Sequence, residues 1–338
     1  MLKRIFVLCL SMLMVLGLFS ACGNTQEAAQ TTAAETAAQE PVKVKKVLTL
    51  GHSLAVDAGH MLALIAAAEG CEELIVGTLY YSGCPLNKHV SFLKSDAREY
   101  NLYLSDVKDT SAPPTIMNDV TMGEAIRLQD WDLIIMQGGV FEIGEKETYL
   151  DGNIQVIQEY VNDHKLKSNA IFAWNMAWAP PVDDDLRNSY SYEPNSYINN
   201  YKKYNDDRSA LYQSISNCVR EYVETDETFS FVIPSATVME NALSSYLTEK
   251  DLHRDYVHAS DLARVMVSYT WYCRIAGIEE LTELKLTTIP RVFLKSTQSA
   301  VDRELTEMEQ KIILEAVNNA LKNPYEMTQS QYTTAPEA

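Results

Sequence analysis

Five short runs of almost uninterrupted apolar residues leave this chain few folds to choose from. They read KKVLTLG (45–51), ELIVGTLYYSG (73–83), WDLIIMQGG (131–139), NAIFAWNMAW (169–178) and FSFVIPSA (229–236). A strand with one wet face alternates apolar and polar residues. A strand that is apolar at nearly every position is buried on both faces, as in a parallel sheet. Stretches with helical periodicity lie between and after the runs: GHMLALIAAAEG, closing at Gly70, TMGEAIRLQDW, NIQVIQEYVNDHK, RSALYQSISNCVREYVE, ATVMENALSSYL and ASDLARVMVSYTWYCRIAG. Strands alternating with helices predict a three-layer α/β/α architecture around a parallel sheet. A last helix is expected from near Thr306 to before Pro324, where Thr306 and Glu309 have the spacing of a capping box.

The two ends of the chain read differently. Lys3 and Arg4 precede an apolar run from Ile5 to Phe19 that is short for a membrane span and fits a secretory signal. It ends in LFSACGN, where small Ser20 and Ala21 before Cys22 resemble a bacterial lipobox, although Phe19 stands where Leu is usual. The expectation is a lipoprotein signal peptide over 1–21, with Cys22 lipidated and the protein anchored to the outer face of a bacterial cell membrane rather than spanning it. Residues 22–43 are rich in Ala, Thr, Gln and Glu and lack aromatics, the composition of a flexible tether. The folded domain is expected over 44–322, and 323–338 as a loose tail.

The formal net charge of −18 disfavours nucleic acid and anionic lipid heads as partners. It suits a neutral or cationic small substrate, or simply a solvated surface. After Cys22 the cysteines are Cys71, Cys84, Cys218 and Cys273, with no zinc-finger spacing. Export permits disulfides, and Cys71–Cys84 is the pair nearest in sequence.

Residues just after parallel strands converge at one edge of the sheet, and polar chemistry gathers there. The first run ends in Gly51-His52-Ser53, a sharp strand-to-helix turn that exposes the serine. Far downstream, DLHRDYVHASDLAR places Asp255 three residues before His258. A nucleophilic serine needs a base to take its proton, and the base needs a partner to set its tautomer. Asp-x-x-His supplies both from one turn of chain. His52 is expected to form a structural hydrogen bond rather than act as the base, and Asp57 to cap the next helix. His253 is expected to be exposed or behind the site, and Cys84 to be a small buried residue. His253, Asp255 and His258 are conceivable metal ligands, but their spacing matches no metal motif. No metal or cofactor is expected.

With these motifs the chain resembles the SGNH/GDSL hydrolase superfamily over Lys46 to about Gly277, and within it a bacterial lipoprotein subgroup of unknown function whose first block reads Gly-Asn-Ser. The resemblance implies a flavodoxin-like α/β/α fold and ester hydrolysis, often removal of acyl groups from carbohydrates. It implies Ser53 as nucleophile, His258 as general base and Asp255 as the acid that orients it. YYSGCPL matches the second block and implies that the Gly83 N–H joins that of Ser53 in an oxyanion hole. Two positions depart from the pattern. His52 stands in place of Asn. At the third block MQGGV offers Gln137 in place of the family's Asn as an oxyanion donor, with Gly138 and Gly139 as backbone alternatives.

Trp174 and Trp178, at the end of the fourth run, are either sugar-stacking residues or core. Tyr256 lies against the cleft or fixes the acid–base turn. A tyrosine-rich insertion, 179–207, leaves the same edge and is a candidate binding rim. Two functions follow: a serine esterase acting on a small or glycan ester, or a non-catalytic glycan-binding lipoprotein on the same fold.

Overall fold

In the computed structural model, which describes residues 43–187, 189, 202–295 and 301–336, the five apolar runs form β1 (Lys46–Gly51), β2 (Ile75–Tyr80), β5 (Leu133–Met136), β6 (Ile171–Asn175) and β7 (Phe229–Ile233). All five run parallel to one another. Two further strands, β3 (Tyr100–Asp106) and β4 (Thr115–Val120), extend the sheet beyond β2. The order is β4-β3-β2-β1-β5-β6-β7. Both added strands pair antiparallel, so the sheet is mixed at one edge rather than parallel throughout. They fall within the stretch between the second run and TMGEAIRLQDW, and β4 is exposed at every position except Val120.

Helices cover both faces. On one side lie α1 (Ser53–Gly59), α2 (Leu62–Ala68), α7 (Ser235–Leu243), α8 (Asp261–Ala276) and α9 (Glu307–Lys322). On the other lie α3 (Leu86–Ser95), α4 (Met122–Leu128), α5 (Asn153–His164) and α6 (Arg208–Tyr222). Val47, Leu48 and Leu50 of β1 are at most 2 % exposed. Each such aliphatic side chain contributes roughly 1.5–3 kcal/mol by leaving water. The helix ends carry the expected chemistry. Thr306 and Glu309 form the capping box of α9, Ser260 caps α8, and Gly277 ends α8 at φ +69°. The three-layer α/β/α fold expected from the apolar runs is the fold observed.

Several expectations need correction. Residues 323–336 do not hang loose. Thr328 N–H donates to Asn241 Oδ1 at 2.7 Å, Ser330 N–H to Ser244 Oγ at 2.8 Å, and Tyr246 N–H to the Tyr332 carbonyl at 2.9 Å. The segment lies along α7 and α9 because its polar backbone completes the bonding of a buried asparagine, a tie that composition does not reveal. Asp57 does not cap α2, whose N-cap is Met61 without a side-chain hydrogen bond. All four described cysteines are free, so the Cys71–Cys84 bridge is not formed. Of the two placements expected for His253, the exposed one is overturned: the residue is buried. The expected signal peptide, nearly all of the tether and part of the tyrosine-rich insertion, 188 and 190–201, lie outside the described residues. Among the described residues no helix is long and apolar enough to cross a membrane.

Truncation after Asn323 leaves the buried Asn241 Oδ1 without its Thr328 N–H donor. It is expected to destabilise the domain by about 1–3 kcal/mol, read as a lower urea midpoint with an intact far-UV spectrum at zero denaturant.

Candidate active site

β1 lies between β2 and β5, and the chain reverses its direction of travel across the sheet at this point. The carboxyl ends of these three strands open a crevice where open α/β sheets bind ligands. A cleft of about 500 Å³ lies there, walled by Tyr80, Tyr81, Ser82 and Gly83 after β2, by Val140 and Phe141 after β5, and by the loop that carries Asp255, Tyr256 and His258. Ser53, the first residue of α1, opens onto the same cleft.

Asp255 and His258 are joined by hydrogen bonds. His258 Nδ1 lies 2.9 and 2.8 Å from the two Asp255 carboxylate oxygens. A carboxylate only accepts, so Nδ1 carries the proton and Nε2 keeps its lone pair. Asp255 Oδ1 also accepts from the backbone N–H groups of Val257 (3.0 Å) and His258 (2.8 Å). Burial alone raises a carboxyl pKa, but these bonds and the imidazole override it and hold Asp255 at about 2. Asp255 is therefore charged at neutral pH.

His52 is a structural residue. It is fully buried and donates from Nε2 to the Gly138 carbonyl at 2.9 Å, while Nδ1 accepts from Leu54 N–H at 3.3 Å as the N-cap of α1. Burial lowers its pKa to about 4. It thus stays neutral and ties the start of α1 to the loop after β5. Cys84 is buried too, and burial pushes its thiol up to about 12, so it remains protonated.

Three expected site residues lie elsewhere. Gln137 does not reach the cleft. The pairing register sets Leu50 beside Met136 and Met136 beside Trp174, so Gly51, Gln137 and Asn175 form the next row across three strands. Gln137 leans along that row: its Oε1 accepts from Asn175 Nδ2 at 2.9 Å, and a Cβ added at Gly51 falls 2.8 Å from its Nε2. Trp174 packs against Tyr149 and Phe229 in the core. Trp178 is fully buried and donates its indole N–H to the Val257 carbonyl at 2.9 Å, supporting the acid–base loop from behind. Neither tryptophan lines the cleft. The aromatic wall is instead Tyr80, Tyr81, Phe141 and Tyr256. Two of these stand in the YYSGCPL block itself, and Phe141 follows the Gly-Gly pair. The signal was their position directly after strand ends.

Residues 46–289 match the model of a family described as a domain of unknown function, DUF4886. The chain belongs to the DUF4886 family. A DUF4886 protein from Bacteroides uniformis ATCC 8492, known from a 1.50 Å crystal structure, superposes with a TM-score of 0.67 at 20 % identity, covering 86 % of this chain and 99 % of that one. This establishes the shared fold. A protein from Slackia heliotrinireducens assigned to the SGNH hydrolases aligns at 13 % identity and a TM-score of 0.42, covering 68 % of this chain and 97 % of that one. No curated protein matches the chain.

Two predictions follow for this DUF4886 chain. Gly83 has φ +59°, and a Cβ there meets nothing within 4 Å. Gly83→Ala should therefore cost only the backbone strain, about 1–2 kcal/mol, measured by urea unfolding. The second concerns pH. Burial lowers His52 to about 4, His89 and His253 to about 3, and His60 to about 2. In the unfolded chain these imidazoles titrate near 6.5. Below that pH the unfolded state binds protons that the folded state does not, so stability is full above about 6.5 and falls as pH drops. Asp255 continues the loss as pH falls from its ordinary range through about 2. Each buried imidazole contributes up to ~1.4 kcal/mol per pH unit in its window. Unfolding free energies measured from pH 8 to 5 should be flat and then decline. His60→Leu, which also removes two unpartnered ring nitrogens, should make the decline shallower.

Proposed function

We propose that this protein is a serine esterase that hydrolyses an acyl ester, in the simplest case an acetyl ester, on a carbohydrate or similar small substrate. The observation that carries the reading is the Asp255–His258 pair, bonded through Nδ1 at 2.8–2.9 Å, facing one cleft with Ser53. In this reading His258 Nε2 takes the Ser53 hydroxyl proton as Oγ attacks the ester carbonyl. The tetrahedral oxyanion receives the backbone N–H groups of Ser53 and Gly83. The first N–H of a helix has no partner within the helix and is available for this, and each donor aimed at a developing oxyanion is worth ~3–4 kcal/mol. His258 returns the proton to the departing alcohol. Water, deprotonated by the same nitrogen, then releases the acid and restores Ser53. Asp255 keeps the imidazole in the required tautomer and stabilises its charged form.

The walls of the cleft support this substrate class. Tyr80, Tyr81, Phe141 and Tyr256 offer faces on which sugar rings or planar acyl groups stack, and no lysine or arginine is among the described residues lining the cleft. That lining suits a neutral ester. We further propose that the enzyme works outside the cell, held to the membrane by a lipid on Cys22, so that its only membrane contact is the anchor. A second reading, a glycan-binding lipoprotein without turnover, draws on His52 in place of the family's Asn and on Gln137 lying outside the cleft.

A fluorophosphonate probe is expected to label the wild-type protein and to spare Ser53→Ala. Asp255→Asn should slow release of nitrophenol from nitrophenyl acetate by roughly 10²–10⁴-fold. Equal labelling of wild type and Ser53→Ala would sink the esterase assignment. Glycan binding without labelling or turnover would favour the second reading.

A further inference from the structure

We infer that Asp57 and Arg254 form a positioning clamp that sets the acid–base loop against the helix carrying Ser53. The inference deepens the esterase reading and rests on it for its catalytic meaning. Asp57 lies four residues after Ser53 on α1, so the two share a helix face one turn apart. Its carboxylate is 2 % exposed and grips the Arg254 guanidinium at two points, Oδ2 to Nη1 and Oδ1 to Nη2, both at 3.0 Å. Oδ2 also accepts from the Ala259 backbone N–H at 3.1 Å. Arg254 in turn donates its backbone N–H to the His258 carbonyl at 3.0 Å and Nη1 to the Ala259 carbonyl.

The consequence appears when the backbone groups around His258 are followed one by one. Val257 N–H and His258 N–H go to Asp255, and the Val257 carbonyl to Trp178. The His258 carbonyl goes to Arg254 N–H, Ala259 N–H to Asp57, and the Ala259 carbonyl to the Arg254 guanidinium. All six polar backbone groups of residues 257–259 are bonded, and three of those bonds come from the clamp pair. The imidazole therefore springs from backbone that is fixed on both sides. The same pair fixes that backbone relative to α1, because Asp57 belongs to the serine's helix and Arg254 to the histidine's loop. An apolar contact would set this separation loosely. A two-point ion pair also sets direction. Neither residue lines the cleft beside Ser53, so the pair acts through the acid–base loop and not on substrate.

The test uses the full folded domain with two readouts. One is the low-field Nδ1 proton resonance of His258, which reports its bond to Asp255 whether or not any ester is turned over. The other is the rate of fluorophosphonate labelling together with the kcat and KM of nitrophenyl acetate hydrolysis. Asp57→Asn alone takes the two-point partner from the partly buried Arg254 guanidinium and risks unfolding, so the primary variant is the neutral pair Asp57→Asn/Arg254→Gln. Arg254→Lys, which keeps the charge but loses the fork, is read in the same way if the pair does not fold. The expected result is a far-UV spectrum like the parent's, a broadened or absent His258 resonance, and kcat reduced about 10–100-fold with KM held within about twofold. A folded variant with the parent's resonance and the parent's rate would overturn the clamp. If the parent shows the resonance but no labelling at Ser53, the esterase reading fails, and the clamp is decided by the resonance alone.

Discussion

β1 is buried on both faces and hydrogen-bonded along both edges, by β2 on one side and β5 on the other. A strand so placed cannot slide without breaking two ladders and exposing its apolar side chains together. Its last residue, Gly51, is therefore one of the most firmly located points in the molecule, and Ser53 follows after a single intervening residue. His52 uses that residue's position fully, bonding back to the start of α1 and across to the loop after β5. The serine owes its place to the central strand, and the other site elements are referred to it: the Gly83 turn through β2, the Phe141 wall through β5, and the acid–base loop through the helix face that Asp57 occupies.

Electrostatics separates the site into a charged pole and a neutral frame. Asp255 is partly exposed but collects an imidazole and two backbone N–H groups, so its charge is stabilised by dedicated donors. The buried imidazoles around the sheet have few such partners and stay neutral. Four titratable rings are thus spent as uncharged packing or bonding groups, and His258, which borders the cleft, is the histidine left facing a carboxylate. This division explains why His52, adjacent to the serine in sequence, is the wrong imidazole for proton transfer: its Nε2 is committed to a carbonyl and its Nδ1 to an amide.

The parallel core was legible because burial on two faces writes itself as an unbroken apolar run. The meeting of Ser53 with Asp255 and His258 in one cleft was legible because strand ends of such a sheet converge. What the sequence concealed depends on tertiary context: which surface each segment meets, and which residues far away in the chain it contacts. β3 and β4 lack an apolar signature because one edge of the sheet faces water. Trp174 and Trp178 have the residue type of a sugar platform, and only packing reveals that both are interior. Gln137 carries the right functional group at nearly the right place, but the register aims it along the sheet. The last residues read as polar and loose because their partner, Asn241, lies about a quarter of the chain away.

The row containing Gln137 continues beyond Asn175. Asn175 Oδ1 accepts from Ser235 Oγ at 2.6 Å, and Ser235 Oγ accepts from the Trp271 indole at 3.0 Å. An amide just after β5, an amide on β6, a hydroxyl at the start of α7 and an indole on α8 thus form one buried relay, with Gly51 leaving room for the first of them. A change at Trp271 alters what Ser235 Oγ accepts from, then which way Asn175 turns, then how much room Gln137 leaves above Gly51. The packing of these five positions is therefore coupled, even though none of them lines the cleft.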